Sequence, residues 1–291
     1  MAQLLQILLS GLTAGAIYGL VALGFTVVFN ATKVANFAHG EFVMMGGLIS
    51  ATLIINLSWS MLPAIFAALV IVTLLAVAMD RVGLQNARQR SVLSFAMITI
   101  GFSIAFRGLM QVAVGRDVLF MPAFGVIPDV RMGGFYFGSQ NVWVVLALFA
   151  ISACLSYLFL KTRMGKAMRA ASQNPRAATL CGIDCRSMSL IAFAMAGAMG
   201  AFAGALVAPI GAAFYEYGLV FSLKGFAAAI LGGLGSPVGA VIGGLLIGAI
   251  ESVAAGYLDS AYKDATTLAI LIALLLVWPS GLLGYVEAKR V

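Results

Sequence analysis

The chain has 291 residues; 63% of them are hydrophobic, 9% are charged, and the mean hydropathy is +1.08. Because a soluble domain carries about 25% charged residues, this composition excludes a water-soluble fold and indicates a protein that lies in lipid. The formal net charge of +7 does not indicate binding to nucleic acid, because the basic residues are concentrated in two loops between apolar runs.

Apolar runs follow one another along the whole chain, and a membrane-crossing helix needs about 20 apolar residues. They predict helices near 4–29, 41–57, 61–79, 91–114, 141–160, 186–209, 222–233, 238–256 and 265–283. Residues 1–291 are therefore predicted to form a single all-α domain, a polytopic transmembrane helical bundle.

The first apolar run, which reaches Ala31, is longer than a bilayer requires. Its length of about 28 residues corresponds to roughly 42 Å at 1.5 Å per residue. We therefore expect this helix either to tilt or to break.

Next comes a polar cluster, Asn36, His39 and Glu41, that contains the only histidine of the chain. If a helix breaks here at membrane depth, the first backbone N–H groups after Gly40 are unsatisfied and carry the positive end of the helix dipole. Discontinuous helices of transporters turn such ends towards substrate carboxylates. The alternative is a solvated cytoplasmic loop in which Lys33, His39 and Glu41 face water. The sequence leaves both interpretations open. Asn36, His39 and Glu41 are candidates for residues that line the substrate path.

Lys and Arg are concentrated in the loops that follow the third and the fifth predicted helix. The first loop contains Arg81, Arg88 and Arg90; the second, residues 161–186, contains Lys161, Arg163, Lys166, Arg169, Arg176 and Arg186. This is the positive-inside pattern, so both loops are predicted to be cytoplasmic. Counting helices from these loops places the N-terminus outside and the C-terminus inside.

The second basic loop has the signals of two short helices. Residues 164–173 are rich in helix formers, and Asn174 can then cap a second helix with Pro175 at its first position and Gly182 as its stop. The pattern predicts a compact pair of helices in the cytosol, but an ordinary basic loop neutralised by anionic lipid also fits it.

The run at 222–233 is too short to span a membrane and ends at a glycine-rich break, which predicts a half-helix or a re-entrant hairpin. Four residues of this break are further candidates for the substrate path: Gly232, Gly233, Gly235 and Ser236. Elsewhere glycines recur every four residues, as at Gly11, Gly15 and Gly19. Such spacing is typical of close helix packing in lipid; lining a narrow path is the alternative.

The sequence lacks the motifs that nucleotide binding and metal binding commonly require. It has no phosphate-binding loop of the G-x-x-x-x-G-K-[ST] type, and its single histidine cannot form a paired-histidine metal site. We therefore predict no catalytic residue, no metal site and no cofactor, and no enzymatic activity on this chain.

Three blocks resemble the branched-chain amino-acid permeases of bacterial ABC importers, in the order found in that family. Residues 15–47 read GAIYGLVALGFTVVFNATKVANFAHGEFVMMGG, residues 162–184 read TRMGKAMRAASQNPRAATLCGID, and residues 222–251 read SLKGFAAAILGGLGSPVGAVIGGLLIGAIE. The chain looks like the shorter of the two permease types that such systems pair. The resemblance implies a fold similar to type II ABC importer permeases, with about eight to ten membrane helices and broken or re-entrant segments.

The resemblance also implies partners: a second permease subunit, two cytosolic ATPase subunits that bind the ATP, and an extracytoplasmic solute-binding protein. It makes the 161–186 loop the coupling element for an ATPase. The residues implicated there are Arg163, Gly165, Lys166, Arg169, Asn174, Pro175 and Gly182. One departure is Asn30, preceded by Phe29, where the family usually has Tyr-Gly; it adds Asn30 to the path candidates.

The function predicted from these features is an ABC permease subunit of the bacterial inner membrane for branched-chain or related small amino acids. Relatives of the family are associated with urea, short amides and aromatic acids, so those substrates remain alternatives. A self-sufficient channel or carrier for urea or amides is the competing class, which would need no ATPase-docking element.

Overall fold

The computed structural model describes residues 2–87, 91–125, 129–132, 135–257, 265, 269, 272, 273, 276 and 281–283. In these residues the helices are α1 (Ala2–Thr32), α2 (His39–Ile55), α3 (Met61–Ala78), α4 (Val92–Ala113), α5 (Ser139–Lys161), α6 (Arg163–Gln173), α7 (Pro175–Leu180), α8 (Cys185–Gly211), α9 (Tyr217–Gly232) and α10 (Pro237–Tyr257). A π-helical turn, Met79–Leu84, extends α3.

The first eight helices predicted from the sequence are confirmed, with most ends displaced by a few residues. The largest displacement is at the start of α9, which begins at Tyr217 rather than at Ser222. The predicted helix at 265–283 lies outside the described residues for most of its length. The predicted cytosolic helix pair is confirmed as α6 and α7.

The long first helix does not break, because α1 runs without interruption over 31 residues. The expectation of a break there is wrong. The sequence of α1 has no proline, and its glycines lie against a neighbouring helix instead of ending the hydrogen-bond ladder.

One feature absent from the prediction is a short hairpin in the connection between α4 and α5. Strand β1 (Val130–Met132) pairs antiparallel with β2 (Phe135–Phe137). In the same connection Leu119 forms a β-bridge with Ala213, which follows α8. The α4–α5 and α8–α9 connections therefore lie at the same end of the bundle.

Helix α1 occupies the centre of the bundle and packs most closely against α10. A Cβ atom added at Gly15 would overlap the backbone of Leu245, and one added at Gly248 would overlap the backbone of Gly15. Gly46 of α2 lies equally close to Ala201 of α8. Small residues thus let the helix backbones touch, which confirms the packing interpretation of the recurring glycines.

Within the described residues, six helices are long and apolar enough to cross a membrane: α1, α3 with its π-turn, α4, α5, α8 and α10. The apolar helices α2 and α9 are shorter. One cavity is lined jointly by residues of the two basic loops, including Gln85 and Arg186. Both loops therefore lie at one end of the bundle, as the charge pattern predicts for the cytosolic side.

Candidate functional site

The candidate site begins where α2 starts, inside the bundle. The His39 ring lies against Gly24 of α1 and close to Gly200 of α8. Gly200 is about 22 Å along α8 from Cys185 at 1.5 Å per residue. Helix α2 is therefore a half-helix that starts beside the middle of α8 and the C-terminal third of α1.

The polar cluster at this start is shielded from solvent. The exposed fraction is 1% for Asn36 and 0% for both His39 and Glu41. The interpretation of this cluster as a solvated loop is therefore wrong, although Lys33 itself is exposed.

The first N–H groups of α2 have partners, contrary to the expectation from the sequence. The Gly40 N–H donates to Ser222 Oγ of α9 at 3.0 Å, and the Ser222 hydroxyl donates to the Phe37 carbonyl at 3.1 Å. The Ala38 N–H donates to Asn36 Oδ1 at 3.0 Å. Because Ser222 supplies both an acceptor and a donor, α9 holds the start of α2 in place.

Glu41 forms a buried ion pair with Arg107 of α4. The Ser103 hydroxyl donates to the same carboxylate oxygen at 2.8 Å. Glu41 also lies in the first turn of α2 and against Gly218 in the first turn of α9. Positive helix ends and a guanidinium thus surround this carboxylate, which explains how a charge can be kept within the bundle.

His39 lies in an aromatic setting made possible by glycine. Its ring is edge-on to Phe25, with centroids 5.2 Å apart, and to Phe42 at 5.9 Å. A Cβ atom at Gly24 would overlap the imidazole. Among the described residues, neither ring nitrogen has a hydrogen-bond partner.

Several other polar atoms near the start of α2 share this property. Within the described residues, the Asn36 side-chain nitrogen, Glu41 Oε2 and Arg107 Nε are buried without hydrogen-bond partners. Buried polar groups are normally paired, so a set of unpaired donors and acceptors in one place is unusual. They are available to a polar solute or to a rearranged conformation of the bundle.

A second buried charge cluster lies across α9 and was not predicted as a site. Lys224 donates to Glu251 Oε1 at 2.8 Å and to the Tyr18 hydroxyl at 3.1 Å, and that hydroxyl donates to Glu251 Oε2 at 2.8 Å. The cluster joins α9, α10 and α1. The only sequence signal was an acid and a base within apolar runs, which indicates pairing but not which partners meet.

The path candidates at the α9–α10 connection form a tight turn. The Asn30 side-chain amide donates to the Gly235 carbonyl at 2.7 Å, so Asn30 ties the end of α1 to this turn. Gly233 and Gly235 have φ of +98° and +95°, values that favour glycine. Gly232 packs against the backbone of Gly239, whose N–H donates to Ser236 Oγ. In this conformation the four turn residues serve the connection, and their role in a path stays a prediction.

A cavity of about 280 Å³ lies below the start of α2, towards the basic loops. Asn36 and Thr99 lie on its upper wall, and residues of α6, α7 and α8 close its lower side. Of the three polar residues at the start of α2, only Asn36 lines this cavity; His39 and Glu41 do not.

The coupling candidates fall into two groups on the α6–α7 pair. Asn174 Oδ1 accepts the Ala177 N–H at 3.0 Å, Pro175 opens α7, and Gly182 follows it with φ of +81°. These three residues define the helix pair itself, as predicted. Gly165 packs against the backbone of α5 at Leu158, so its role is to bring α6 close to the bundle.

The basic coupling residues differ in exposure. Arg163 and Lys166 are exposed, whereas Arg169 is half-buried. The apolar Leu180 at the end of α7 is 90% exposed, and it was not among the residues predicted from the sequence.

Asp184 follows the helix pair and caps α8. Hydrogen bonds from the Ser187 hydroxyl and from backbone N–H groups hold the pKa of its carboxyl below the usual value.

Comparison with known proteins places nearly the whole chain in one family. Residues 7–277 match the family model described as branched-chain amino acid transport system / permease component. The chain belongs to this family of permeases. It is 33% identical to the high-affinity branched-chain amino acid transport system permease protein LivH of Escherichia coli (strain K12), over 99% of this chain and 97% of that protein.

Other relatives have slightly lower sequence identity to the permease. It is 31% identical to the permease protein BraD of Pseudomonas aeruginosa, over 99% of this chain and 98% of that protein. It is 32% identical to a probable branched-chain amino acid transport permease protein of Methanocaldococcus jannaschii, over 91% and 88% of the two chains. Among solved structures, PsaBC from Streptococcus pneumoniae in complex with Fab aligns with a TM-score of 0.51 and 12% identity, covering 91% of this chain and 90% of that chain. This likeness concerns the fold alone.

Proposed function

We propose that this permease is a membrane subunit of an ABC importer that moves branched-chain or related small amino acids across the bacterial inner membrane. The observation that carries the proposal is similarity along nearly the full chain to permeases named for branched-chain amino acid transport.

The proposal includes the partners that such a subunit needs. A second permease subunit, two cytosolic ATPase subunits and an extracytoplasmic solute-binding protein complete the importer, and the ATPases hold the ATP. Helix α7 supports this assignment, because it presents Arg176 and the nearly fully exposed Leu180 at the cytosolic end. An apolar anchor beside a basic side chain suits a protein partner better than water.

The start of α2 is the part of the permease through which the solute passes in this proposal. Asn36, His39 and Glu41 are buried here, so the described conformation is closed at this level. Opening requires α9 to move away from α2, which breaks the Gly40–Ser222 hydrogen bond and separates Gly218 from Glu41. The groups exposed by that movement include a carboxylate and a guanidinium, both of which complement the charges of an amino acid.

ATP-dependent movement follows from contacts that differ between the two conformations. Helix α6 packs on α1 and α5, and α7 continues from it after the single residue Asn174. A displacement of this pair by an ATPase therefore acts directly on α1, which also packs against α8, α9 and α10.

Reconstitution in lipid vesicles tests the proposal. The permease is inserted alone or together with its partner subunits, and uptake of labelled leucine is measured with and without ATP on the cytosolic side. Uptake is expected only from the complete assembly and only with ATP. Flux of leucine, urea or a short amide through the permease alone would instead identify a self-sufficient channel or carrier.

The same vesicles decide between substrate classes. Uptake of leucine that exceeds uptake of urea, amides and aromatic acids agrees with the proposal. ATP-dependent uptake of urea or an aromatic acid, with no uptake of leucine, would leave the importer subunit intact but overturn the assigned substrate.

A further inference from the structure

The cavity below α2 has a chemical composition that the transport cycle alone does not explain. Most of its wall is apolar, with Val28, Phe95 and Phe193 among the lining residues. Two charged residues, Asp80 and Arg186, interrupt this apolar lining. A cavity of about 280 Å³ is slightly smaller than the pockets of roughly 300–1,000 Å³ that take drug-sized ligands. Its size therefore suits a smaller molecule.

Asp80 is a buried carboxylate held by neutral donors. Its exposed fraction is 0%. The Gln85 amide donates to Oδ2 at 2.7 Å, and the Ser189 hydroxyl donates to Oδ1 at 2.7 Å. Among the described residues, no Lys or Arg side chain forms an ion pair with it. Because a buried carboxylate is stabilised far better by a cation than by neutral donors, Asp80 is complementary to an ammonium group.

Arg186 provides the opposite charge among the residues that line the cavity. The Gln85 amide nitrogen donates to Asp80 Oδ2 at 2.7 Å and to the backbone carbonyl of Arg186 at 3.2 Å, so the starts of these two residues' elements meet at Gln85. The Arg186 side chain is exposed and makes no hydrogen bond within the described residues. Its guanidinium can bind a carboxylate by donating two parallel hydrogen bonds to it.

We infer that this cavity is a cytosolic binding site for an α-amino acid, through which the imported product slows its own uptake. The ammonium group takes the place of the Gln85 amide at Asp80, the carboxylate binds Arg186, and a branched aliphatic side chain packs on Val28, Phe95 and Phe193. The inference rests on the proposed function for the identity of the ligand. It adds a second site, on the cytosolic side of the path, to the one at the start of α2.

The position of the cavity explains why an occupant would affect transport. Its walls include the end of α1 and the start of α8 on one side, and Ala171, Ser172 and Pro175 of the α6–α7 pair on the other. An amino acid bound between them fixes the spacing that must change when the ATPases act. A ligand that stabilises one spacing shifts the equilibrium away from the other.

The experiment uses vesicles that contain the complete importer and are loaded with unlabelled leucine at increasing concentrations. The initial rate of labelled leucine uptake and the rate of ATP hydrolysis are measured, each divided by the rate of the same protein in unloaded vesicles. Internal leucine is expected to lower both ratios by about fivefold, at the lower end of ordinary allosteric coupling. Isovalerate, which has no ammonium group, and isopentylamine, which has no carboxylate, should have little effect.

Two substitutions locate the effect. Asp80→Asn and Arg186→Gln should each bring both ratios close to one at every internal leucine concentration. Asp117→Asn, which changes an exposed carboxylate at the opposite end of the bundle, serves as the matched control and should respond to internal leucine like the native protein. Inhibition that survives both cavity substitutions, or equal inhibition by isopentylamine and leucine, would overturn the inference.

A binding measurement separates this inference from the proposed function. The permease–ATPase complex, without ATP and without the solute-binding protein, is titrated with leucine, and the same titration is made with the Asp80→Asn complex. Binding that Asp80→Asn abolishes supports the cavity even if uptake is absent, an outcome that would contradict only the proposed function. ATP-dependent uptake with no leucine binding by the native complex would contradict only the cavity.

Discussion

At the scale of single residues, the buried charges of the permease are matched across helices. Glu41 of α2 meets Arg107 of α4, and Lys224 of α9 meets Glu251 of α10. Breaking a buried pair leaves an uncompensated charge in a medium of low dielectric constant, which costs about 3–5 kcal/mol. These pairs therefore restrict which helix neighbours are acceptable within the bundle.

The Glu41–Arg107 pair predicts an unequal effect of the two single substitutions. The Arg107 side chain is 26% exposed, whereas that of Glu41 is 0% exposed. Arg107→Met leaves a buried carboxylate and should lower the free energy of unfolding in detergent by about 3–5 kcal/mol. Glu41→Gln leaves a cation that can reach the surface, so its effect should be smaller.

The double variant Glu41→Gln with Arg107→Met completes the thermodynamic cycle. It should lose less stability than the sum of the two single changes, because no unpaired charge remains. Additive losses, or a larger loss for Glu41→Gln alone, would show that the pair does not act as described.

His39 predicts a separation between stability and transport. Its ring nitrogens have no partner among the described residues, so His39→Leu, an apolar side chain of similar size, should leave the unfolding midpoint nearly unchanged. If the nitrogens bind solute when the bundle opens, loss of one hydrogen bond of about 1 kcal/mol should reduce leucine uptake about fivefold. Native uptake kinetics in His39→Leu would remove this residue from the path.

At the scale of elements, short and long helices have different roles. Helices α2 and α9 meet through Gly40 and Ser222 and hold the polar site, whereas α1 and α10 form a closely packed glycine seam. The seam does not tolerate larger side chains at Gly15, Gly244 or Gly248, because a methyl group added there would overlap backbone atoms and not a flexible side chain.

The glycine seam predicts that position within the bundle, and not loss of glycine as such, decides stability. Gly248→Val should disrupt the contact between α10 and α1 and cost at least the 1–3 kcal/mol that is typical of an overpacked core, roughly estimated. Gly101→Val is the matched control, because a Cβ atom at Gly101 of α4 meets nothing within 4 Å. Both variants are compared by their yield of monodisperse protein and by their unfolding midpoint; similar behaviour would contradict the seam.

Much of the element order is predictable from the sequence, for identifiable reasons. The ends of α6 and α7 follow from Asn174, Pro175 and Gly182, which act locally through capping and backbone geometry. The β-hairpin was missed because three-residue strands give too short a pattern. The broken-helix interpretation of α2 was available from composition, but its burial was not.

The contacts of the candidate site were the part that sequence reasoning could not supply. Glu41 and Arg107 are 66 positions apart and Tyr18 and Glu251 are 233 apart, so no local periodicity connects them. Their pairing depends on which helices become neighbours, which is determined by packing over the whole bundle. The same limit explains why Ser222 was not expected as the partner of Gly40.

At the scale of the whole molecule, the cytosolic end combines a rigid helix pair with a cavity behind it. Met168 of α6 is fully buried against the bundle, while Leu180 of α7 is 90% exposed. The pair is thus fixed at one end and exposed at the other, as the proposed docking of an ATPase subunit requires.

Leu180 provides a direct test of ATPase docking. Leu180→Asp should reduce co-purification of the ATPase and uncouple ATP hydrolysis from uptake, because a charge replaces the exposed apolar anchor. Leu180→Met keeps the apolar surface and should retain both properties. The docking assignment fails if Leu180→Asp co-purifies and transports like the native protein.

The seam between α1 and α10 also has a consequence for biogenesis. Helix α1 is synthesised before α10, yet its face at Gly11 and Gly15 is covered only when residues after Pro237 have been inserted. A nascent chain that ends earlier has an open groove along its central helix and cannot complete the bundle. Membrane quality-control proteases would therefore meet truncated products in a form that the finished permease never presents.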